Sequence, residues 1–185
     1  MSILLLGGSP AVPSTTARLL GHLGERLAVL GHDTARLNVR DLPAQALLHA
    51  DGANPAVRAA LAAVAAADAV VVATPVYKAS FAGVLKAFLD LLPQNGLAGK
   101  IVLPVATGGS QSHLLALDYA LRPVLQALEA KLVLPSIYAT SHQVQWNEQE
   151  GVALAPEIAA RVSAGVAALS ELLPRVAAQS ELQAA

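Results

Sequence analysis

Residues 3–16 read Ile3-Leu4-Leu5-Leu6-Gly7-Gly8-Ser9-Pro10-Ala11-Val12-Pro13-Ser14-Thr15-Thr16, and the chain on either side can be understood as support for them. An unbroken apolar run this short, cut off by a glycine pair, has the length of a buried strand. Ser14-Thr15-Thr16 then opens an amphipathic stretch with the hydroxyl residues favoured at helix starts. A strand, a glycine-bearing loop and a helix N-terminus together present free N–H groups to an anion. Ser9, Ser14, Thr15 and Thr16 add hydroxyl donors. The loop has no lysine, and neither G-x-G-x-x-G nor G-x-x-x-x-G-K-[ST] occurs in it. That argues against a nucleoside triphosphate and against the standard dinucleotide fingerprint. A terminal monophosphate held by neutral donors fits. A plain strand–turn–helix with a serine cap gives the same pattern, so the downstream loops decide.

Composition narrows the field. The 185 residues suit one domain, expected over 1–174, with a frayed tail over 175–185. Cysteine is absent, which rules out disulfides, thiol catalysis and Cys-ligated zinc or iron–sulfur clusters. A formal net charge of −1 with no block of like charges gives nucleic acids and anionic membranes no electrostatic handle. Among the histidines, His22, His32 and His49 are scattered, His113 and His142 stand without partners, and no metal site is expected. The N-terminus lacks the basic segment and cleavage site of a signal peptide. The apolar segment from Leu61 to Pro75 carries Asp68 and is shorter than a membrane span. A soluble, cytoplasmic protein is the expectation.

In chain order, Thr15–Leu30 has leucines at helical spacing and Gly31 where a C-terminal cap belongs. His32–Val39 reads as a weaker strand near an edge, Arg40–Asn54 as a loop, and Pro55–Ala67 as a helix with proline in its first turn. Ala69–Ala73 is the clearest central strand, apolar on both faces, and Thr74-Pro75-Val76-Tyr77 ends it. A helix over Ala82–Leu92, a strand over Ile101–Val105 and a long helix over His113–Ala130 follow. Leu132–Tyr138 is the last strand, Thr140–Gly151 a mobile polar loop, and Pro156–Leu173 the last helix. Alternating strands and helices call for a three-layer α/β domain with a parallel sheet. About five strands in the order 2-1-3-4-5, the flavodoxin-like arrangement, are expected.

In that arrangement ligands bind beyond the carboxyl ends of the strands where the strand order reverses. The loops meeting there are Gly8–Thr16, Thr74–Ala79 and Ala106–Ser110. They are rich in Gly, Pro, Ser and Thr and hold no paired carboxylates and no G-x-S-x-G elbow. This is poor equipment for hydrolysis. It suits a planar cofactor with a phosphate tail, which carries the chemistry while the protein orients it.

Several segments carry a family likeness: Gly8-Ser9-Pro10 with Ser14 to Thr16, Ala73 to Lys78, Leu92-Pro93, Leu103 to Gly109, and His113 to Pro123. Together they resemble the NAD(P)H-dependent FMN reductases, and most of all the reductases of the two-component alkanesulfonate and methanesulfonate monooxygenase systems. The likeness covers nearly the whole chain and weakens after about Thr140. It implies bound FMN, reduction by NADPH or NADH, and reduced flavin passed to a separate FMNH2-dependent monooxygenase in sulfonate desulfonation. It implies a homo-oligomer as well, a dimer or a tetramer. By matching position, Ser9, Ser14 and Thr16 would hold the phosphate, with Pro10 and Thr15 beside them. Pro75, Val76 and Tyr77 would line the isoalloxazine, and Thr107, Gly108, Gly109 and Ser110 its other edge. Family members often have an arginine directly after the Ser-Pro pair. Ala11 stands there in this chain, which implies weaker charge pairing and a flavin held loosely enough to leave.

The resemblance also singles out Tyr119, which would be an inserted residue creating a π-helical bulge at a subunit interface and governing flavin release. The apolar face made by Leu114, Leu115, Leu117, Leu121, Val124, Leu125 and Leu128 slips near Asp118-Tyr119, as an insertion would make it do. An ordinary helix kinked by Pro123 gives the same slip. No ionisable catalytic residue is expected, because alignment of two rings does the work. The rival readings are an FMN-bound quinone or azo reductase, a flavodoxin-type electron carrier and a flavin-free regulatory module. A net charge of −1 offers the carrier little for docking.

Overall fold

The computed structural model describes residues 1–184, with side chains described as far as Pro174. Strand β1 (Ser2–Gly7) leads into helix α1 (Thr15–Val29), then β2 (Asp33–Asn38), α2 (Ala44–Leu48) and α3 (Pro55–Ala66). β3 (Ala69–Tyr77), β4 (Ser80–Phe81), α4 (Gly83–Leu89) and β5 (Ile101–Gly108) come next. After a π-helical turn at Leu117–Leu121 come α5 (Arg122–Ala127), β6 (Leu132–Val133), β7 (Ile137–Thr140), β8 (Val144–Asn147), β9 (Gly151–Leu154) and α6 (Pro156–Ala184). The frayed tail expected over residues 175–185 falls outside the residues whose side chains are described.

Parallel pairing of β1 with β2, β1 with β3 and β3 with β5 builds the centre of the sheet. The sheet has seven strands in the order β2-β1-β3-β5-β6, rather than five in the order 2-1-3-4-5. Both extra strands have local causes. The last strand expected over Leu132–Tyr138 is split into β6 and β7, each pairing in parallel with β5. Pro135 lies between them and has no N–H for a ladder. β4 arises because β3 continues past Ala73 to Tyr77 and turns back on itself, pairing Val76 with Phe81 and Tyr77 with Ser80.

Side chains alternate across a strand, so each central strand feeds two cores. Ile3, Leu5, Val71, Leu103 and Val105 join the core made with α1 and α6. Leu4, Leu6, Val70, Val72 and Val102 join the one made with α3, α4 and α5. Helix α1 comes close enough to β1 that a Cβ on Gly24 would lie 2.4 Å from Leu5 Cδ1. That close seat fixes the N-terminus of α1 above the end of β1.

Two segments differ from the sequence expectation. Thr140–Gly151, expected as a loop, holds a 3-10 turn and most of the β8–β9 hairpin. The Asn147 side chain accepts from the N–H groups of Gln149 and Glu150, and Trp146 lies under the guanidinium of Arg18 at 4.3 Å. The helix expected over His113–Ala130 is broken into a 3-10 turn, the π turn and α5. Pro123 has no N–H to give to the carbonyl four residues back, that of Tyr119, so an α-helical ladder fails at this point. Tyr119 sits mid-turn and is 78% exposed. Among the described residues no helix is long and apolar enough to cross a membrane.

Phe88 is fully buried between α4 and the sheet. Phe88→Ala is expected to lose about 3–5 kcal/mol of stability, read from urea unfolding, because the surrounding leucines cannot collapse into the space.

Candidate functional site

Register brings three loops to one edge of the sheet. Gly7 pairs with Ala73, Ala73 with Val105 and Pro75 with Thr107, so the chain leaves β1, β3 and β5 at the same end. The chain crosses from β2 to β3 on opposite sides of β1, which opens a crevice there. Gly8 anchors the first loop by donating from its N–H to the Ala73 carbonyl at 2.7 Å.

Of the residues expected at the site, Ser9, Ser14, Thr15 and Thr16 line one cleft together with Pro75, Val76 and Tyr77. Thr107, Gly108 and Gly109 line its far side. Pro10 and Ser110 flank this cleft without lining it, and Tyr119 lies on the π turn away from it. Ala11, Pro13 and Ser141 complete the wall. Sequence reasoning missed Ser141, although its place just past β7 is a strand-end position like the other three.

The hydroxyls form a directed chain. Ser14 is the N-cap of α1, its Oγ accepting from the Ala17 N–H at 3.2 Å. Ser14 Oγ donates to Ser9 Oγ at 2.8 Å, and the Ala11 N–H donates to the same oxygen at 3.3 Å. Ser9 Oγ therefore accepts twice, which leaves its own proton free for something in the cleft. Thr16 Oγ1 and Thr107 Oγ1 lie 2.6 Å apart, both buried, joining the first loop to the third. The N–H groups of Thr15 and Thr16 stand in the first turn of α1, where the helix offers no acceptor. These donors converge on the helix N-terminus and suit an anion.

The second loop supplies the flat wall. Its tip, Lys78-Ala79, is a two-residue hairpin turn with φ values of 51° and 63°. Both lie in the left-handed region that such a turn demands, without a glycine or asparagine to relieve it. Thr74 Oγ1 braces the base, accepting from the Ala82 N–H at 3.0 Å. Tyr77 is held at the rim, 48% exposed. Lys78 sits at the tip and is not part of the cleft wall.

The third loop is pinned from beneath. Tyr138, on β7, donates from its hydroxyl to the Ser110 carbonyl at 2.5 Å. Burial pushes the phenol pKa up, which keeps it protonated as the donor. A Cβ on Gly108 would lie 2.2 Å from that hydroxyl, so only glycine fits there. Ser141 Oγ donates to the Gly108 carbonyl at 3.4 Å from the other side. Every cleft-lining residue is uncharged. Among the described residues no group of three or more His, Asp or Glu could hold a metal ion.

Across residues 1–145 the chain matches the model of the family described as NADPH-dependent FMN reductase. The chain belongs to that family. A relative from Pseudomonas putida named FMN reductase (NADPH) is 49% identical over 148 residues, covering 80% of this chain and 75% of the relative. A second Pseudomonas putida protein, named NADH-dependent FMN reductase SfnE, is 34% identical, covering 85% and 87%. Among solved structures, an NADH:FMN oxidoreductase in apo form superposes with a TM-score of 0.84 at 39% identity, covering 91% of this chain and 88% of that one. An archaeal flavodoxin matches at 0.62 with 12% identity, covering 94% and 99%, a likeness of fold.

The donor set fits the flavin of such a reductase. It offers unsatisfied helix N–H groups and one free serine proton for a phosphate, and a semi-apolar wall for a flat ring. Gly108→Ala is expected to disturb the third loop and weaken flavin binding by about tenfold or more, through the clash with the Tyr138 hydroxyl. Gly108→Ala combined with Tyr138→Phe is expected to recover part of that loss in a fluorescence-quenching titration.

Proposed function

We propose that this NAD(P)H-dependent FMN reductase treats FMN as a substrate and passes reduced flavin to a separate monooxygenase, on a single folding unit over residues 1–174. The observation that carries the reading is the neutral, shallow cleft. Its volume is about 220 Å³, below the roughly 300–1,000 Å³ of sites that enclose their ligand. A flavin held there would be only partly enclosed by the cleft residues. When bound, FMN supplies the chemistry by accepting a hydride from the nicotinamide of NADPH or NADH.

The residues of this chain bind and align. Ser9, Ser14 and Thr16, with the Thr15 and Thr16 N–H groups, hold the phosphate. Pro75, Val76 and Tyr77 support the isoalloxazine, and Thr107, Gly108 and Gly109 meet its other edge. No side chain of the cleft moves a proton, and the gain in rate comes from holding two rings in a reactive stack. Tyr119 acts on flavin release through the π turn, which the 3-10 turn Gln111–His113 and a short link join to the third loop. The exposed Leu114, Leu115 and Tyr119 form the contact through which a dimer or tetramer assembles. A cytoplasmic setting and a partner in sulfonate desulfonation belong to the same proposal.

Oxidation of NADPH or NADH in the presence of free FMN, added well above enzyme, is the test. Many turnovers that scale with added FMN are expected. One turnover followed by a stall would make FMN a fixed cofactor and move the search to quinones or azo dyes. Tyr119→Ala is expected to slow flavin release severalfold in stopped-flow exchange, and unchanged exchange would remove Tyr119 from the mechanism.

A further inference from the structure

A phosphate monoester carries close to two negative charges near neutral pH, yet the cleft that suits it is lined by neutral residues alone. Three arginines surround this end of α1. Arg18 is committed to the face of Trp146 at 4.3 Å. Arg36 donates through Nη2 to the Ala17 carbonyl at 2.9 Å and through Nε to Asn38 Oδ1 at 3.2 Å. Arg40 differs from both. It lies in the 3-10 turn after β2, and its Nη1 donates to the Ala11 carbonyl at 2.6 Å, on a residue that lines the cleft.

The geometry points to Arg40 as the counter-charge of the flavin phosphate, delivered to the first loop from the far side of β2, and so as the residue that selects FMN over riboflavin. This inference rests on the flavin reading of the cleft. The Arg40 side chain is 22% exposed, which shields its charge less than a surface position would. Its hydrogen bond to Ala11 uses one of five guanidinium N–H groups and fixes the plane of the fork beside the loop. The opposing charge is Asp41, whose carboxylate is 3.6 Å from Arg40 Nε and largely exposed, and which also accepts from Asn38 Nδ2 at 2.9 Å. At 3.6 Å and with its carboxylate 64% exposed, Asp41 offsets only part of that charge, so the guanidinium keeps some to offer the loop.

A role in merely positioning the loop would affect every flavin equally. A role in pairing with phosphate affects FMN and leaves riboflavin alone. The experiment is therefore a pair of fluorescence-quenching titrations, FMN and riboflavin, on the wild type and on Arg40→Met, Arg40→Lys and Asp41→Asn, at low and high salt. Arg40→Met is expected to raise the Kd for FMN about tenfold or more, with riboflavin within about twofold. Arg40→Lys is expected to recover part of the FMN affinity. Asp41→Asn, which removes the competing charge, is expected to tighten FMN alone. Salt is expected to weaken FMN in the wild type and hardly at all in Arg40→Met.

Equal losses for both flavins, or no loss for either, would overturn the assignment while leaving the flavin site intact. A raised KM for the nicotinamide with unchanged FMN affinity would also overturn it, by giving Arg40 to the other nucleotide's phosphate. A wild type that binds neither flavin would instead overturn the reading of the cleft. If Arg40→Met fails to fold, Asp41→Asn and the wild-type salt dependence still decide the question.

Discussion

Parallel pairing of β1, β3 and β5 in one register is the constraint on which the rest of this molecule depends. Every loop of the cleft leaves one of these strands or the neighbouring β7, and none carries enough residues of its own to be stable in isolation. Parallel strands need both faces covered, which explains the runs Ile3–Leu6, Ala69–Ala73 and Ile101–Leu103 and the two apolar cores. Slipping β1 by one residue against β3 would send Leu4 and Leu6 into the wrong core and lift Gly8 away from the Ala73 carbonyl. Fold and site therefore share one set of contacts.

On that frame the loops are tied to one another rather than to the solvent. Thr16 and Thr107 join the first loop to the third, and Ser14 and Ser9 join the helix cap to the loop before it. Thr74 ties the second loop to the start of α4, and Tyr138 holds the third from below. Each neutral hydrogen bond contributes only about 0.5–1.5 kcal/mol net. Their value lies in direction, because together they leave the Ser9 proton and the first-turn N–H groups of α1 pointing at one place without further reorganisation.

The sheet's central strands were legible because buried parallel strands write themselves as apolar runs between glycine and proline punctuation. The edges were less so. Pro135 splits the last strand, but a single proline within an apolar run does not say whether the strand continues beyond it. The β4 return depends on left-handed backbone at Lys78 and Ala79, residue types that do not advertise such a turn. The β8–β9 hairpin packs Val144, Val152 and Leu154 on the core and sets Trp146 against Arg18, contacts across more than a hundred residues that no local pattern records. The π turn was suggested by a slipping apolar stripe and by family likeness, with Pro123 supplying a physical reason. In the cleft, the residues that follow β1, β3 and β5 in sequence were found, and Ser141 after the split last strand was not. Nor was Tyr138, because it braces the third loop from beneath, on a strand whose sequence shows only a strand.

A cleft of neutral donors has a consequence for traffic. Charge-assisted hydrogen bonds are roughly twice as strong as neutral ones. A phosphate held by hydroxyls and N–H groups alone therefore leaves more readily than one clamped by several cations. A shallow cleft would act in the same direction, since less ring area would be buried in it and less re-exposed on departure. An enzyme that hands its product to another protein gains from both, provided some residual charge still favours the phosphorylated flavin. On the proposed assignment Arg40, tied to the Ala11 carbonyl with Asp41 beside it, would supply that selectivity at small cost to release.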